Sequence, residues 1–183
     1  MNVLAWFYDK GVHVPSDAAT AASLYRKAAG LGEQYAQWRL GVMIDTSDGV
    51  EGTSEEAVAL FLRAAAQNFS DAWVSLGVMQ AGGRGTNKDY AAAFRSFETA
   101  AKMGNSHAFN EIGVMFAVGE GRPIDMVEAT AWFAVAAALN NETAKQHLQR
   151  LAGQLDEAGI DQSSLRASEI FQTYFGGDQK NWH

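Results

Sequence analysis

The sequence predicts an all-α solenoid of about four helix-pair repeats of 36 residues, followed by C-terminal capping helices. Three observations predict it. First, "LGVM" at residues 40–43 returns at 76–79 and again, as "IGVM", at 112–115, a spacing of 36 each time. Second, the stretches between share further columns at that spacing. These are Ala36, Ala72 and Ala108; Gly49, Gly85 and Gly121; Ala57, Ala93 and Ala129; and Phe61, Phe97 and Phe133. Third, the 183 residues are 48% hydrophobic and 19% charged, which suits a folded chain and argues against disorder. A fixed period decides the fold before anything else, because a repeat cannot bury its apolar face alone and must stack on its neighbours.

The elements follow in chain order. Residues 1–32 hold a partial first copy that lacks its first four residues. Leu4 stands in the column of Leu40 and Ala5 in that of Gly41, while Tyr25, Ala28 and Ala29 fall under Phe61, Ala64 and Ala65. Full units then span 33–68, 69–104 and 105–140. Each reads as two helices, the first at 34–45, 70–81 and 106–117, the second at 54–67, 88–103 and 125–139. Tyr90, Ala93, Phe94, Phe97, Ala100 and Ala101 show the three- and four-residue spacing of a helical apolar stripe. The connectors "TSDGVEGT", "GGRGTNKD" and "GEGRPID" are rich in turn residues. Asp17, Thr53 and Asp125 stand where N-caps of second helices belong. Pro15 and Pro123 fall in connectors, where they interrupt no helix. A fifth copy begins with Ala144 and Leu148 and departs at Gln149, so 141–155 reads as a cap helix closing a solenoid domain of residues 1–155. A capping helix within 156–176, carried by "SSLRASEIFQTYF", closes the fold, and 177–183 is expected to be a flexible tail.

Gly41, Gly77 and Gly113 sit inside first helices, where glycine costs about 0.5–1 kcal/mol against alanine. Packing must offset that, so these glycines are expected to be contact points with another helix. On this reading Gly77→Val destabilises by well over about 1 kcal/mol through overpacking.

The combined pattern, A-x-x-x-L-G-x-x-Y-x-x-G-x-G followed by D-x-x-x-A-x-x-W/L-Y/F-x-x-A-A-x-x-G, resembles the Sel-one-like repeat (SLR) family, a relative of the tetratricopeptide repeat. Residues 8–32, "YDKGVHVPSDAATAASLYRKAAGLG", and 105–140 carry it well. The 33–68 unit departs from it: Ile44 replaces the tyrosine, Ser47 a loop glycine and Asn68 the final glycine, so a looser loop is expected there. The resemblance covers about residues 4–148. It implies a right-handed α/α superhelix, a concave face lined by first helices, and bacterial adaptor roles in assembling complexes. It also implies which positions face the concavity: five and two residues before the leucine column and two after it. These are Tyr35, Trp38 and Val42; Asp71, Val74 and Val78; and His107, Asn110 and Val114, with Trp6 from the partial unit and Arg150 from the cap.

A bland alternative stands beside this. A Val at helical spacing is more often packed than ligand-facing, so Val42, Val78 and Val114 stay open between the two roles. Trp38 is evenly balanced, because Val74 and Asn110 in its column show that the fold demands no aromatic there. Trp73 and Trp132 read as core.

Composition narrows function. A net charge of −7 argues against a nucleic-acid partner, which needs a clustered basic face. No run of 18 apolar residues marks a membrane span. "MNVLAWFYDKGV" lacks a basic leader region, which fits a cytoplasmic chain, or a periplasmic or secreted one already trimmed. There is no cysteine, and His13, His107, His147 and His183 form no H-x-x-x-H pair, so no metal site is expected. Asp71 and His107 share a repeat column, but neighbouring helices stand roughly 8–10 Å apart and no activated nucleophile accompanies them. "AGGRGTNKD" lacks G-K-S/T and follows a helix, so it reads as a turn rather than a phosphate loop. No catalytic residue and no cofactor is assigned. Two functions remain: a non-catalytic scaffold that docks a partner peptide or domain in the concave groove, or a regulatory or structural module that uses its ends or convex face. The truncated first copy leaves an uncapped N-terminal end. Either further repeats precede it or something covers it, a second copy of the chain being one candidate.

Overall fold

A computed structural model describes residues 2–151 and 153–176; the tail at 177–183, with His183, lies outside the described residues. Wherever apolar residues recur three and four apart the backbone is helical, and each helix stops where turn residues begin. Among the described residues the order is α1 Asn2–Lys10, α2 Ala18–Gly30, α3 Gln34–Asp45, α4 Ser54–Ala65, α5 Ser70–Gly82, α6 Tyr90–Lys102, α7 Ser106–Val118, α8 Met126–Ala138, α9 Glu142–Leu151 and α10 Glu157–Phe175, with no strand. The α3 bounds are those the repeat columns predict. α10 includes "SSLRASEIFQTYF" and the six residues before it, its start capped by Asp156, whose side chain accepts from Gly159 N at 2.9 Å. Asp17, Thr53 and Asp125 cap α2, α4 and α8 by accepting from the amides of Thr20, Glu56 and Glu128. Asp89, not anticipated, does the same for Ala92 at the start of α6.

The chain forms two compact units, residues 1–93 and 94–183. In the first, consecutive helices pack on one another around a core of Tyr25, Phe61, Leu40, Leu76 and Met79, each at most 3% exposed. The alanine pairs Ala28-Ala29 and Ala64-Ala65 are buried with them. Gly41 explains its own column: a Cβ there would stand 2.7 Å from Cε1 of Phe61. The ring of the second helix lies flat where the first helix has no side chain.

Connector glycines solve a second problem. Gly49 and Gly85 have φ of +69° and +63°, and each lies against the first turn of the second helix in the preceding repeat. A Cβ on Gly49 would be 2.6 Å from Ala18 C, and one on Gly85 2.7 Å from Glu55 N. The 33–68 unit keeps the same turns despite its substitutions. Ser47 and Asn68 hold φ of +54° and +63° where glycine stands in neighbouring copies, and His13 holds +64° in the column of Gly49.

Adjacent first helices of this unit are also tied by charge. Arg39 Nε and Nη2 donate to the two Asp9 oxygens at 2.7 and 2.6 Å, with Tyr25 OH 3.5 Å from the same carboxylate. The side chains are 4% and 13% exposed for Asp9 and Arg39. Arg84 reaches back to Asp45 at 2.9 Å. Hydrogen bonding from Arg39 holds the Asp9 carboxyl below the usual carboxylate range. A free aspartate titrates near about 3.9. The folded value is lower, so the pair stabilises fully above that pH and its contribution is lost as pH falls through the folded value. Asp9→Asn is expected to cost about 2–3 kcal/mol at pH 7, since a buried guanidinium loses its main partner. Urea unfolding of parent and variant should diverge at pH 7, with the gap narrowing as pH falls below about 4; a gap independent of pH would contradict the pairing.

In the second unit Gly113 repeats the device of Gly41, its absent Cβ being 2.7 Å from Cδ1 and Cε1 of Phe133. The Phe133 ring also stacks on His147 of α9, with centroids 4.7 Å apart and planes 18° apart. Burial pushes the His147 imidazole down, with Arg150 acting the same way. Arg122 lies between the rings of Phe94 and Phe116, at 4.1 and 4.3 Å. α10 crosses α8 and places Tyr174 and Phe175 on the buried Phe109 and Trp132. Burial pushes the Tyr174 hydroxyl up to about 12. Arg166 of α10 bonds Glu128 of α8 at 2.5 Å. Trp132 is core, at 5% exposure, while Trp73 packs against the first unit's core only partly buried.

Candidate functional site

The first unit gathers the expected residues Tyr35 and Trp38 with one that sequence reasoning missed. α3 places Tyr35 and Trp38 one turn apart on one face, and their ring centroids are 5.6 Å apart. Phe69, just before α5, completes a triad at 6.3 Å from Tyr35 and 5.6 Å from Trp38. All three are half-buried. Tyr25 lies beneath, edge-on to Tyr35 at 6.0 Å, and anchors the triad to the core. Trp38 Nε1 donates to Ser75 Oγ at 3.0 Å, which fixes the indole between α3 and α5.

A signal for Phe69 existed. Its column holds Glu33, which makes no cap bond, and Asn105 and Asn141, whose side chains accept from backbone amides at the starts of α7 and α9. Phe69 cannot do that, and α5 has no side-chain cap. An N-cap contributes about 1 kcal/mol, so an aromatic in a capping column stands out.

The other expected residues fall variously. Val42 packs partly buried against the core, Val74 is half-buried and Val78 is 36% exposed. Asp71 is half-buried. Trp6 is 37% exposed, its ring 5.7 Å from Phe7. In the second unit His107 and Arg150 are exposed and Val114 is half-buried. Asn110 is only 4% exposed, and its Nδ2 donates to Glu111 Oε1 at 3.1 Å. Among the described residues no three His, Asp or Glu side chains converge as metal ligands, and no helix is long and apolar enough to cross a membrane.

Four stretches, residues 1–33, 34–69, 74–105 and 107–141, match the model of the Sel1 repeat. No curated protein sequence matches. Among solved structures, a protective antigen present in uropathogenic Escherichia coli strains and displaying an SLR fold is similar at 30% identity and a TM-score of 0.81, over 94% of this chain and 37% of that one. A Sel1 repeat protein from Oxalobacter formigenes is 30% identical with a TM-score of 0.76, over 97% and 72% of the two chains. A Pseudomonas aeruginosa protein at 20% identity and a TM-score of 0.62, over 94% and 65%, shares the fold. The chain thus spans little more than a third of the Escherichia coli antigen's length.

Proposed function

The chain belongs to the Sel1 repeat family, whose members are typically protein-interaction scaffolds and generally non-catalytic, and from there we propose that it is a non-catalytic adaptor docking a partner peptide on its first helices. The observation that carries this is the triad of Tyr35, Trp38 and Phe69. It sets aromatic surface at columns that elsewhere hold Asp71, Val74, Asn105, His107, Asn110 and Asn141. The fold needs no aromatic at these positions, and Trp and Tyr are the side chains that most often dominate binding energy at interfaces. Val42, Val74 and Val78, with Trp6 and Asp71, are proposed as further binding residues of the first unit; in the second unit His107, Asn110, Val114 and Arg150 are proposed as binding residues of their own.

A peptide selected by display on the full chain supplies the ligand for a test. Tyr35→Ala and Trp38→Ala should each weaken it at least tenfold, about 1.4 kcal/mol or more by calorimetry. Leu62→Ala, at a 49% exposed position on α4, should leave it unchanged. Two aromatic variants that bind like the parent would defeat the proposal.

A second reading, a module working through its end, has its own observation. Leu4 is 47% exposed, whereas Leu40, Leu76 and Ile112 in its column are at most 3% exposed. Val3 and Leu31 beside it are 66% and 71% exposed. A second copy of the chain would cover this apolar end. Sedimentation should then show concentration-dependent association that Leu4→Glu abolishes; a parent monomeric at high concentration counts against it.

A further inference from the structure

The columns of the aromatic triad recur 72 residues later with different chemistry: Tyr35, Trp38 and Phe69 become His107, Asn110 and Asn141. Asn141 Oδ1 accepts from Ala144 N at 2.9 Å, and its Nδ2 lies 3.2 Å from His107 Nδ1. The amide donates there, so a neutral His107 carries its proton on Nε2. Asn110 is 4% exposed; Nδ2 is used by Glu111, but Oδ1 has no partner. Glu111 occupies the column of Arg39, which is paired with Asp9. Glu111 itself has no ion-pair partner among the described residues. Burial pushes its carboxyl up, against the hydrogen bond from Asn110 and the nearby His107, while Glu120 adds to the rise. Val114 follows one turn later, half-buried. Asn110 Oδ1 is thus withdrawn from water with no donor, and the half-buried Glu111 carboxylate stands beside it with the Asn110 amide as its hydrogen-bond donor.

We propose that this face of α7 receives a lysine side chain of the protein partner, its ammonium donating to the Glu111 carboxylate and Asn110 Oδ1 while its methylene stem lies over Val114. Charge favours a basic partner, since the chain carries −7 overall. The arrangement favours lysine over arginine. One Glu111 oxygen already accepts from Asn110 Nδ2, so a guanidinium would have to share that oxygen to make its two parallel bonds. A compact ammonium with three donors can bridge the remaining acceptors from one point. His107, at the rim, can turn aside because it is exposed.

The inference rests on the reading that first helices take the partner, but it is tested separately from it. The ¹⁵N-labelled full chain is titrated with Nα-acetyl-lysine methylamide and, in parallel, with Nα-acetyl-norleucine methylamide, which has no ammonium. The Asn110 side-chain amide and the backbone amides of residues 107–114 should shift saturably with the first compound and not with the second. Glu111→Gln should weaken the response at least fivefold. In the parent alone, the lysine compound should also lower the midpoint of Glu111 carboxyl titration followed by ¹³C. An equal response to both compounds, an unchanged response in Glu111→Gln, or no response to either overturns the inference. The triad binding measured through Tyr35→Ala and Trp38→Ala lies in the other unit, so either result can fail without the other.

Discussion

Gly85→Ala destabilises the first unit by about 3 kcal/mol or more, measured by urea unfolding at neutral pH. Two costs add. At φ of +63° an L side chain is strained, worth about 1–2 kcal/mol. The new methyl also meets Ser54 O and Glu55 N, which are backbone atoms of a helix start and cannot swing aside as a side-chain tip would. Relief requires the connector and α4 to separate, which opens the contact between consecutive repeats. Gly32→Ala isolates the first cost, since Gly32 has φ of +92° but no atom within 4 Å of its missing Cβ. It should lose only about 1 kcal/mol. Similar losses for Gly85→Ala and Gly32→Ala would show that the close approach contributes nothing.

Gly113→Val has the second large effect, an expected loss of about 3 kcal/mol in the second unit. Ordinary helix propensity predicts the opposite sign for filling a helical glycine with alanine, a gain of up to about 1 kcal/mol. Packing decides against that gain. Phe133 lies 2.7 Å from where the Cβ would be, and its ring also stacks on His147. Valine in place of Gly113 therefore has to displace Phe133 and, with it, the stack that seats α9. Gly30→Ala supplies the contrast, because nothing lies within 4 Å of that Cβ. It should be neutral or stabilising. A Gly113→Val chain that melts with the parent would refute the role assigned to the glycine column.

These glycines also mark how far the sequence could be read. Gly41 and Gly113 were legible as helix contacts because they recur in register, and each contact is made by the phenylalanine of another recurring column. The same held for the caps at Asp17, Thr53 and Asp125. Features that occur once were not legible. The Asp9–Arg39 pair joins different columns, and only the stacking of α1 beside α3 brings them together. The site divides the same way. Tyr35 and Trp38 could be placed from columns known in related repeats. Phe69 was missed because its column elsewhere is polar, with Glu33, Asn105 and Asn141, and the burial of Asn110 was not legible because columns give the direction of a residue but not how much of it reaches the surface. Ala136 and Ala137, in the columns of Ala64 and Ala65, show that limit too: Ala136 is fully buried while Ala137 is only half so.

Partner docking on the first helices through the aromatic triad is the proposal on which the rest depends. Amide chemical-shift mapping of the ¹⁵N-labelled chain with the display-selected peptide tests it most directly. The account predicts that, in the first unit, the largest changes fall in α3 and α5, with the Trp38 indole N–H signal moving away from its Ser75-bonded position. Changes confined to α2 and α4, with the Trp38 signal unmoved, would contradict it.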